Sequence, residues 1–346
     1  MIYLTKNYEK ENKMENLQIT NPHTIVILAT GGTISGSGEV GKTTNYTPGS
    51  ISVDALITNI PLLQSIAPIA TVQICNVNSD DIGTPELLHL VSTINDLARN
   101  PMVDGFVITH GSDTLEETAY FLHLTIKTIK PVVLVGSMRP ATALSPDGPM
   151  NIYNGVVLAS HAPHSRGVLV TLGDGIYGAR DVQKITTLTP SAFSQGYLGA
   201  LGYFVDGVPY FYQSSIKPHT MESPFYMEGT VTLPKVEIVS FYTDANPEII
   251  PWLSERCQGL VIAGAGAGEY SLAFKEEIDK LGEAGFPIIR SSRVPNCLVT
   301  PNPKYDTSQW ILPSGNLSPQ KSRILLQLGL NLWKDALTLR ELFKKY

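Results

Sequence analysis

Short apolar runs alternate with amphipathic segments along this chain, and that alternation is the strongest constraint on its fold. Five runs of strand length lie in the first half of the sequence: Thr24–Ala29, Val72–Val77, Gly105–Thr109, Pro131–Gly136 and Gly167–Leu172. Runs of this kind are typical of strands that are buried on both faces. Such strands, separated by helices, predict an α/β fold with a doubly wound, mostly parallel sheet.

The segments between these runs have helical periodicity. Within Thr114–Ile129, apolar residues recur at steps of four and three and therefore share one face. They are Leu115, Ala119, Leu122, Ile126 and Ile129. Pro85–Arg99 and Asn151–Ser160 show a similar pattern, and we predict a helix in each of the three segments.

The periodicity breaks from Tyr203 to about Leu233, where prolines punctuate a polar and aromatic segment that we interpret as a linker. A smaller α/β unit follows, and Ser318 with Pro319 predicts the start of its last helix. Its predicted strands are Val236–Ser240, Gly259–Ala263 and Pro287–Ser291. We predict a polar tail over residues 1–23, a larger domain over 24–211, a linker over 212–233 and a smaller domain over 234–346.

Composition excludes several classes of protein. The net charge of −6 offers no basic surface for nucleic acid, and the apolar runs are far shorter than the roughly 20 residues of a membrane helix. The first 22 residues lack the apolar stretch of a secretory signal, and Met14 offers an alternative start. Cys75, Cys257 and Cys297 fit no disulfide or zinc pattern, and we interpret each as a small buried residue. These features predict a cytoplasmic protein.

Ligands of open parallel sheets bind beyond the carboxyl ends of the strands, and four such positions carry polar groups here. The first is Thr30-Gly31-Gly32-Thr33. Its glycines allow the backbone to approach a ligand closely, and Thr33 adds a hydroxyl. Acyl transfer needs this combination of a nucleophile and amide donors. A tight turn with a helix-capping threonine is the simpler alternative.

The second position, Thr109–Thr114, leads into a predicted helix. Ser112 or Asp113 could be its N-cap, with Glu116 and Glu117 in the first turn completing a capping box. A polar run of six residues nevertheless exceeds what one cap requires. We interpret His110 as a packed, hydrogen-bonded histidine rather than a base.

The last two positions are weaker. Val77–Asp81 offers a hydroxyl and carboxylates, or a helix cap ahead of Pro85. Tyr177–Lys184 ends in a lysine that is a solvated charge, unless it lies beside Asp113, where it could hold or move a proton.

Two glycine-rich segments suggest nucleotides and are interpreted otherwise. Gly36–Thr43 matches the phosphate-binding pattern GxxxxGK[ST], but that pattern works only when a strand precedes it directly and a helix follows. Here the strand ends six residues earlier and Thr44–Gly49 is typical of a loop, so we predict a flexible lid. Gly264–Gly268 is like a dinucleotide turn, but Glu269 stands where the final glycine belongs.

Taken together, these segments resemble the bacterial type II L-asparaginase and glutaminase-asparaginase family. Ile27–Ser35 resembles its first active-site motif, and Gly105–Leu115 resembles the second with one change. Four further stretches look familial: Glu116–Leu122, Pro131–Pro140, Asp147–Asn154 and Ser291–Pro295. The likeness extends from Thr24 to the C-terminus.

The resemblance implies an amidohydrolase that converts L-asparagine to L-aspartate and ammonia, with some activity on L-glutamine. Thr33 is then the nucleophile of an acyl-enzyme, and Tyr46 on the lid orients or deprotonates it. Ser112, Asp113 and Lys184 form a second group that activates the nucleophile or the water.

The resemblance also implies how the substrate is held. Ser79 and Asp80 bind its α-carboxylate and α-amino groups, and Asp113 also contacts the amino group. Backbone N–H groups of Gly32 and Ser112 bind the oxyanion. No metal or organic cofactor is implied. The expected assembly is a homotetramer with active sites at subunit interfaces.

Three positions depart from the family pattern. Ser112 replaces the usual threonine, so the hydroxyl remains without its methyl group. Asp80 stands where glutamine is common, which leaves the preference for asparagine or glutamine open. A glutamate from the neighbouring subunit is expected between Ser292 and Gly315, but Asp306 is the one acid between Cys297 and Trp310.

Three other functions compete with this hypothesis. An amidotransferase subunit would supply ammonia to a partner enzyme, but such relatives carry an extra N-terminal domain, for which about 23 residues before the first strand are too few. A phosphotransferase would use Gly36–Thr43. An amino-acid-binding module would bind aspartate without turnover.

Overall fold

The computed structural model describes residues 18–44, 46–227, 229 and 231–346, so the predicted tail up to residue 17, including Met14, lies outside the described residues. The helices are α1 (Val53–Thr58), α2 (Thr84–Ala98), α3 (Leu115–Thr125), α4 (Gly148–His161), α5 (Ile249–Ser254), α6 (Leu272–Glu283), α7 (Pro319–Leu332) and α8 (Ala336–Lys345). The strands are β1 (Thr24–Gly31), β2 (Ser37–Gly38), β3 (Tyr46–Thr47), β4 (Ile69–Val77), β5 (Val103–Thr109), β6 (Val132–Val135), β7 (Val168–Leu172), β8 (Gly175–Gly178), β9 (Gln183–Lys184), β10 (Phe193–Ser194), β11 (Gly202–Val205), β12 (Val208–Phe211), β13 (Val236–Ser240), β14 (Gly259–Gly264), β15 (Ile288–Ser292) and β16 (Ile311–Pro313).

Eight strands form the larger sheet, in the order β12-β11-β8-β7-β6-β5-β1-β4. The five strands from β7 to β4 pair in parallel, and β8, β11 and β12 join by antiparallel pairing. The predicted doubly wound, mostly parallel sheet is therefore confirmed, with an antiparallel edge. Each of the five predicted strands starts and ends within three residues of the observed one.

The strand β1 shows why such a run has apolar residues at consecutive positions. Val26 and Leu28 pack into one buried layer, and Ile25 and Ile27 pack into the layer on the opposite face. All four side chains are fully buried. A strand covered on both faces cannot alternate apolar with polar residues, and the sheet is consequently sandwiched between helices.

The helix α3 ends earlier than predicted. It stops at Thr125, because Ile126 is already extended and the N–H of Lys127 donates to the side chain of Asn95 at 2.7 Å. The prediction that Ile129 shares the buried helical face is wrong, since Ile129 is 50% exposed. Pro131 follows closely, and residues before proline disfavour helical geometry.

The segment from Tyr203 is not a linker at its start, which corrects the prediction. Strands β11 and β12 form a hairpin at the edge of the large sheet. The two residues of its turn, Asp206 and Gly207, both have positive φ, 52° and 75°. A two-residue turn of this geometry matches the twist of a hairpin.

Residues after the hairpin also pack against the larger domain. Phe225 is fully buried. The ammonium of Lys127, just beyond α3, donates to the carbonyls of Thr220 and Ser223 at 2.8 and 2.6 Å. The predicted linker is therefore a docked segment rather than a free one.

The second sheet has the order β13-β14-β15-β16 and is parallel throughout. Its first three strands were predicted, and β16 was not. Ser318 caps α7 as predicted, accepting a hydrogen bond from the N–H of Lys321 at 3.3 Å, but α8 follows, so α7 is not the last helix.

One apolar layer belongs to both sheets. Phe106 and Leu134 of the large sheet lie in the same buried cluster as Val261 of the small sheet and Leu326 of α7. The helices α3 and α7 pack together within it. The two sheets therefore share a core.

The three cysteines are free thiols, but they are not alike. Cys257 is buried, whereas Cys75 and Cys297 are half-exposed, so the expectation that all three are buried is wrong. Among the described residues, no helix has the length and apolar character needed to cross a bilayer.

Candidate active site

Three glycines bring the loops after β1, β4 and β5 into backbone contact. A Cβ on Gly31 would lie 2.4 Å from the carbonyl oxygen of Val77, and one on Gly32 would lie 2.3 Å from the Cα of Gly111. A Cβ on Gly111 would lie 2.8 Å from the Oγ of Ser79. Side chains do not fit at these distances, so glycine is required wherever the loops converge.

Thr33 lies at the centre of this convergence. It is buried, with 7% exposure, and begins a short 3₁₀ helix, Thr33–Ser35. Its Oγ1 lies 2.7 Å from the phenolic oxygen of Tyr46. The alternative that Thr33 caps a helix is wrong, because Gly32 occupies the N-cap position.

Tyr46 reaches Thr33 from the hairpin formed by β2 and β3. A Cβ on Gly36 would lie 2.8 Å from the aromatic ring of Tyr46, so the absence of a side chain at position 36 makes room for the ring. The predicted loop over Thr44–Gly49 thus contains a strand, while Asn45 lies outside the described residues.

A second group is centred on Lys184. Its ammonium donates to the Oγ of Ser112 at 2.8 Å and lies 2.5 Å from the carboxylate of Asp113. The side chain of Lys184 is 14% exposed and that of Asp113 is 57% exposed. Charge-assisted hydrogen bonds are short and strong, so the side chain of Lys184 is held between Ser112 and Asp113 at the edge of the site.

The capping alternatives for this loop and for the loop after β4 are wrong. Thr114 is the N-cap of α3, and its hydroxyl donates to the carbonyl of Ser79 at 2.8 Å. Gly83 is the N-cap of α2. Ser112 and Asp113 are therefore free of capping bonds, and their side chains are available for Lys184.

His110 is a structural residue, as predicted. It is fully buried, its Nδ1 donates to the carbonyl of Gly111 at 2.8 Å, and its Nε2 accepts from the hydroxyl of Thr118 at 2.9 Å. Burial lowers the pKa of this imidazole to about 4. The ring is neutral at physiological pH and holds the loop after β5 in shape.

Ser79 and Asp80 follow β4 and border the convergence. Ser79 is 1% exposed, and its hydroxyl has no hydrogen-bond partner in the part of the chain that the structure describes. Buried hydroxyls are nearly always bonded. Asp80 is exposed, and its carboxylate accepts from the amide of Asn78 at 3.0 Å.

The backbone donors differ from the predicted pair. The N–H of Gly32 donates to the carbonyl of Val77 at 3.0 Å, so it is already engaged. The N–H groups of Thr33 and Ser112 have no such partner among residues 18–44, 46–227, 229 and 231–346. Because Gly32 touches Gly111, these two free donors lie on loops in direct contact.

Both nucleotide-like segments lack the structure that nucleotide binding requires. Ser37 and Gly38 form β2, and the described residues 41–44 that follow are turns and bends rather than a helix. Around Gly266, Ala265 pairs with Glu269 across a tight turn, and α6 begins only at Leu272.

Asp306 is engaged in the fold. Its carboxylate accepts from the Nε and Nη2 of Arg290 at 2.7 and 2.9 Å, and both side chains are nearly fully buried. The N–H of Asn302 donates to the same carboxylate at 2.7 Å. Asp306 is therefore not available to a neighbouring subunit's site.

Sequence reasoning missed Glu116 as a residue of this site. Its carboxylate accepts from the backbone N–H of Lys184 at 2.6 Å. A bond to a backbone amide leaves no pattern in the sequence, and the only signal was the position of Glu116 directly after the second motif.

Comparisons with known proteins agree with this geometry. Residues 24–217 match the family model for the N-terminal domain of asparaginases, and residues 235–343 match that for the C-terminal domain of glutaminases and asparaginases. The chain is 43% identical over 325 residues to a probable periplasmic L-asparaginase of Haemophilus influenzae, covering 93% of each chain. It is 40% identical over 327 residues to L-asparaginase 2 of Escherichia coli, again covering 93% of each. A crystal structure of a probable cytoplasmic L-asparaginase from Campylobacter jejuni superposes with a TM-score of 0.90 at 41% identity, covering 94% of this chain and 100% of that one.

Proposed function

We propose that this chain, which belongs to the asparaginase family, hydrolyses L-asparagine to L-aspartate and ammonia. The observation that supports this most directly is the hydroxyl pair of Thr33 and Tyr46, 2.7 Å apart, on a loop whose backbone touches the loop of Ser112 and Asp113. The arrangement offers a nucleophile, a neighbouring proton acceptor and a second charged group in one place.

In the first half-reaction, the Oγ1 of Thr33 attacks the carboxamide carbon. Its proton passes to the oxygen of Tyr46, and Tyr46 in turn gives its phenolic proton to the amide nitrogen. The N–H groups of Thr33 and Ser112 stabilise the oxyanion, in place of the Gly32 donor expected from the sequence. Each such donor commonly lowers the barrier by about 3–4 kcal/mol. The carbon–nitrogen bond then breaks, ammonia leaves with the proton, and an ester to Thr33 remains.

In the second half-reaction, water attacks the ester carbon. The group formed by Ser112, Lys184 and Asp113 takes up one proton of the water, and it passes that proton to the oxygen of Thr33 as the carbon–oxygen bond of the ester breaks. L-aspartate is released, and the enzyme returns to its starting state. General acid–base assistance of this kind commonly contributes about 10²–10⁴-fold to the rate.

The substrate is held through its α-carbon groups. The buried hydroxyl of Ser79, which has no partner among the described residues, donates to the α-carboxylate. The carboxylates of Asp80 and Asp113 bind the α-ammonium group. Because Asp306 is paired with Arg290, we propose that the negative charge opposite the ammonium comes from the same subunit as Thr33.

Ammonia release from L-asparagine tests this function. Thr33→Ala should abolish steady-state release and leave the fold and melting temperature unchanged, while Thr33→Ser should retain part of the activity because it keeps the hydroxyl. Substituting L-glutamine in the same assay gives the glutaminase ratio, which the Asp80 departure leaves open. Normal turnover by Thr33→Ala would show that the nucleophile is misassigned.

We also propose a homotetramer with active sites at subunit interfaces. The edge hairpin of the large sheet carries exposed apolar side chains that a second copy would cover. They are Tyr203 (50% exposed), Val205 (56%), Val208 (49%) and Tyr210 (47%). Light scattering should give about four times 37.6 kDa, and a monomer with full activity would contradict the proposal.

The compartment is proposed to be the cytoplasm. The relatives differ, since that of Haemophilus influenzae is named periplasmic and that of Campylobacter jejuni cytoplasmic. Three unpaired cysteines, one of them buried, favour a reducing compartment. Fractionation of the native host should place the ammonia-releasing activity with cytoplasmic markers, and activity in the periplasmic fraction would overturn this.

A further inference from the structure

Two charged side chains from different parts of the fold bind the backbone of the segment that carries Lys184. The carboxylate of Glu116, in the first turn of α3, accepts from the N–H of Lys184 at 2.6 Å. The ammonium of Lys321, in the first turn of α7, donates to the carbonyl of Val182. Within residues 182–184, the carbonyl of Val182 and the N–H of Lys184 are thus each bonded to a charged side chain.

The strand pairing of this stretch is short, although the side chain of Val182 is fully buried. The strand β9 consists of Gln183 and Lys184 alone, and it pairs with the equally short β10. A lysine side chain has four rotatable bonds, so its ammonium reaches a fixed point only when the backbone from which it extends is fixed. The two charged contacts add to the fixation that the buried side chain of Val182 and the bond from its N–H to the carbonyl of Gly178 at 3.1 Å supply.

Burying these charges is costly, which argues against an incidental contact. Lys321 is 1% exposed and Glu116 is 9% exposed. Burial lowers the pKa of Lys321 to about 8, and the negative charge of Glu116 opposes that shift. Buried charges persist only when partners compensate them. Here part of that compensation comes from the backbone carbonyl of residue 182 and the backbone N–H of residue 184.

Glu116 and Asp113, which are close in sequence, bind opposite ends of Lys184. Glu116 lies on the helix that begins two residues after Asp113, whose carboxylate binds the ammonium of Lys184. The same loop and helix therefore hold the lysine at its backbone and at the end of its side chain. Any shift of Lys184 must lengthen one of the two contacts.

We propose that Glu116 and Lys321 are positioning residues, which fix the backbone at Val182 and Lys184 so that the Lys184 ammonium remains between Ser112 and Asp113. This rests on the proposed function, because Lys184 matters only if it acts in amide hydrolysis. Neither residue is among those that hold the substrate or carry its chemistry in the proposed function. Lys321 comes from the smaller domain, so that domain supports a group that otherwise belongs to the larger one.

Kinetics of matched variants test the proposal. Glu116→Ala removes the acceptor, whereas Glu116→Gln keeps a carbonyl oxygen that can accept from the same N–H. Displacing a reacting group by about 1 Å commonly costs about 100-fold. We therefore expect Glu116→Ala to lower kcat about 10- to 100-fold with KM almost unchanged, and Glu116→Gln to restore most of kcat. Lys321→Met should lower kcat in the same direction.

Glu117→Ala is the control. Glu117 lies in the same turn and also carries a half-buried carboxylate, but it has no hydrogen bond to Lys184. Its kcat should stay near that of the unchanged protein. The proposal is overturned if Glu117→Ala loses as much kcat as Glu116→Ala, if Glu116→Gln is as impaired as Glu116→Ala, or if KM rises at constant kcat.

A crystal structure of Glu116→Ala separates this proposal from the proposed function. The distance from the Lys184 ammonium to the Asp113 carboxylate should lengthen beyond the 2.5 Å found here. That readout does not depend on which reaction the enzyme performs. An unchanged distance would overturn the positioning role, whereas absence of ammonia release by the unchanged protein would overturn the function alone.

Discussion

Replacing Gly36 by alanine should displace the side chain of Tyr46 from Thr33, although Tyr46 itself is not substituted. Gly36 has φ −85° and ψ 144°, an extended conformation that alanine adopts freely. The added Cβ would lie 2.8 Å from Cδ2 and 3.2 Å from Cε2 of the Tyr46 ring. Packed carbon atoms lie about 3.5–4.0 Å apart, so the ring must retreat by about 1 Å.

That retreat acts on the bond to the nucleophile. The phenolic oxygen of Tyr46 is 2.7 Å from the Oγ1 of Thr33, and a further ångström ends the hydrogen bond. Misplacement on this scale commonly lowers a rate about 100-fold. We expect Gly36→Ala to lower kcat by about that factor in ammonia release from L-asparagine, with KM little changed.

A double-mutant cycle supplies the decisive control. Tyr46→Phe removes the hydroxyl and keeps the ring, so Gly36→Ala combined with Tyr46→Phe should be no slower than Tyr46→Phe alone. Full activity of a folded Gly36→Ala protein, or losses that multiply in the double variant, would refute the reasoning.

Three further outcomes follow from the structure. Lys42→Ala should leave kcat unchanged, and ATP should not shift the melting temperature, because no helix begins at Lys42; loss of activity would revive phosphate binding. Asp306→Ala should lower the free energy of unfolding in urea by about 3–5 kcal/mol, because it leaves the buried Arg290 charge unpaired, and a change below about 1 kcal/mol would contradict this. The pKa of His110 in the fold, about 4, lies below the ordinary 6.5. The neutral imidazole therefore contributes fully to the stability of the folded state above pH 6.5, and that contribution is lost as the pH falls toward 4. Urea unfolding of His110→Gln across that window should show a slope with pH smaller by about 1.4 kcal/mol per unit, one proton, and an unchanged slope would show that His110 titrates alike in both states.

Strands buried on both faces were the easiest elements to predict. β6 is apolar throughout, because Val132 and Leu134 pack into one buried layer while Val133 and Val135 pack into the layer on the opposite face. The edge hairpin was missed for the opposite reason. Phe204 is buried while Tyr203 and Val205 are half-exposed, and Pro209 is tolerated only because β12 lies at the edge.

The signal for that hairpin was nevertheless present. Asp206-Gly207 between two short β-branched and aromatic stretches is a strong hairpin pattern. The prolines that follow obscured it, and the segment was interpreted as one linker. The alternation of apolar and polar residues in β11 and β12 covers four residues in each strand, which is too short to predict strands next to so many prolines.

Some residues of the candidate site could be predicted from the sequence, and others could not. The loops with Thr33, Ser79 and Ser112 could be found from the sequence because each follows a strand of one parallel sheet. The resemblance implied that Tyr46 acts on Thr33, but the hairpin of β2 and β3 that carries Tyr46 to it was not predicted. The contacts of Glu116 and Gly36 depend on three-dimensional proximity alone, and no local pattern encodes them.

The buried cluster common to both sheets has a consequence for how this molecule unfolds. Removing the smaller domain, with Val261 of its sheet and Leu326 of α7, would expose the rest of this apolar cluster to water. The two halves are therefore expected to melt in a single cooperative transition in calorimetry. A chimaera that takes one domain from a distant homologue will therefore need apolar side chains of complementary size on both sides of this shared cluster.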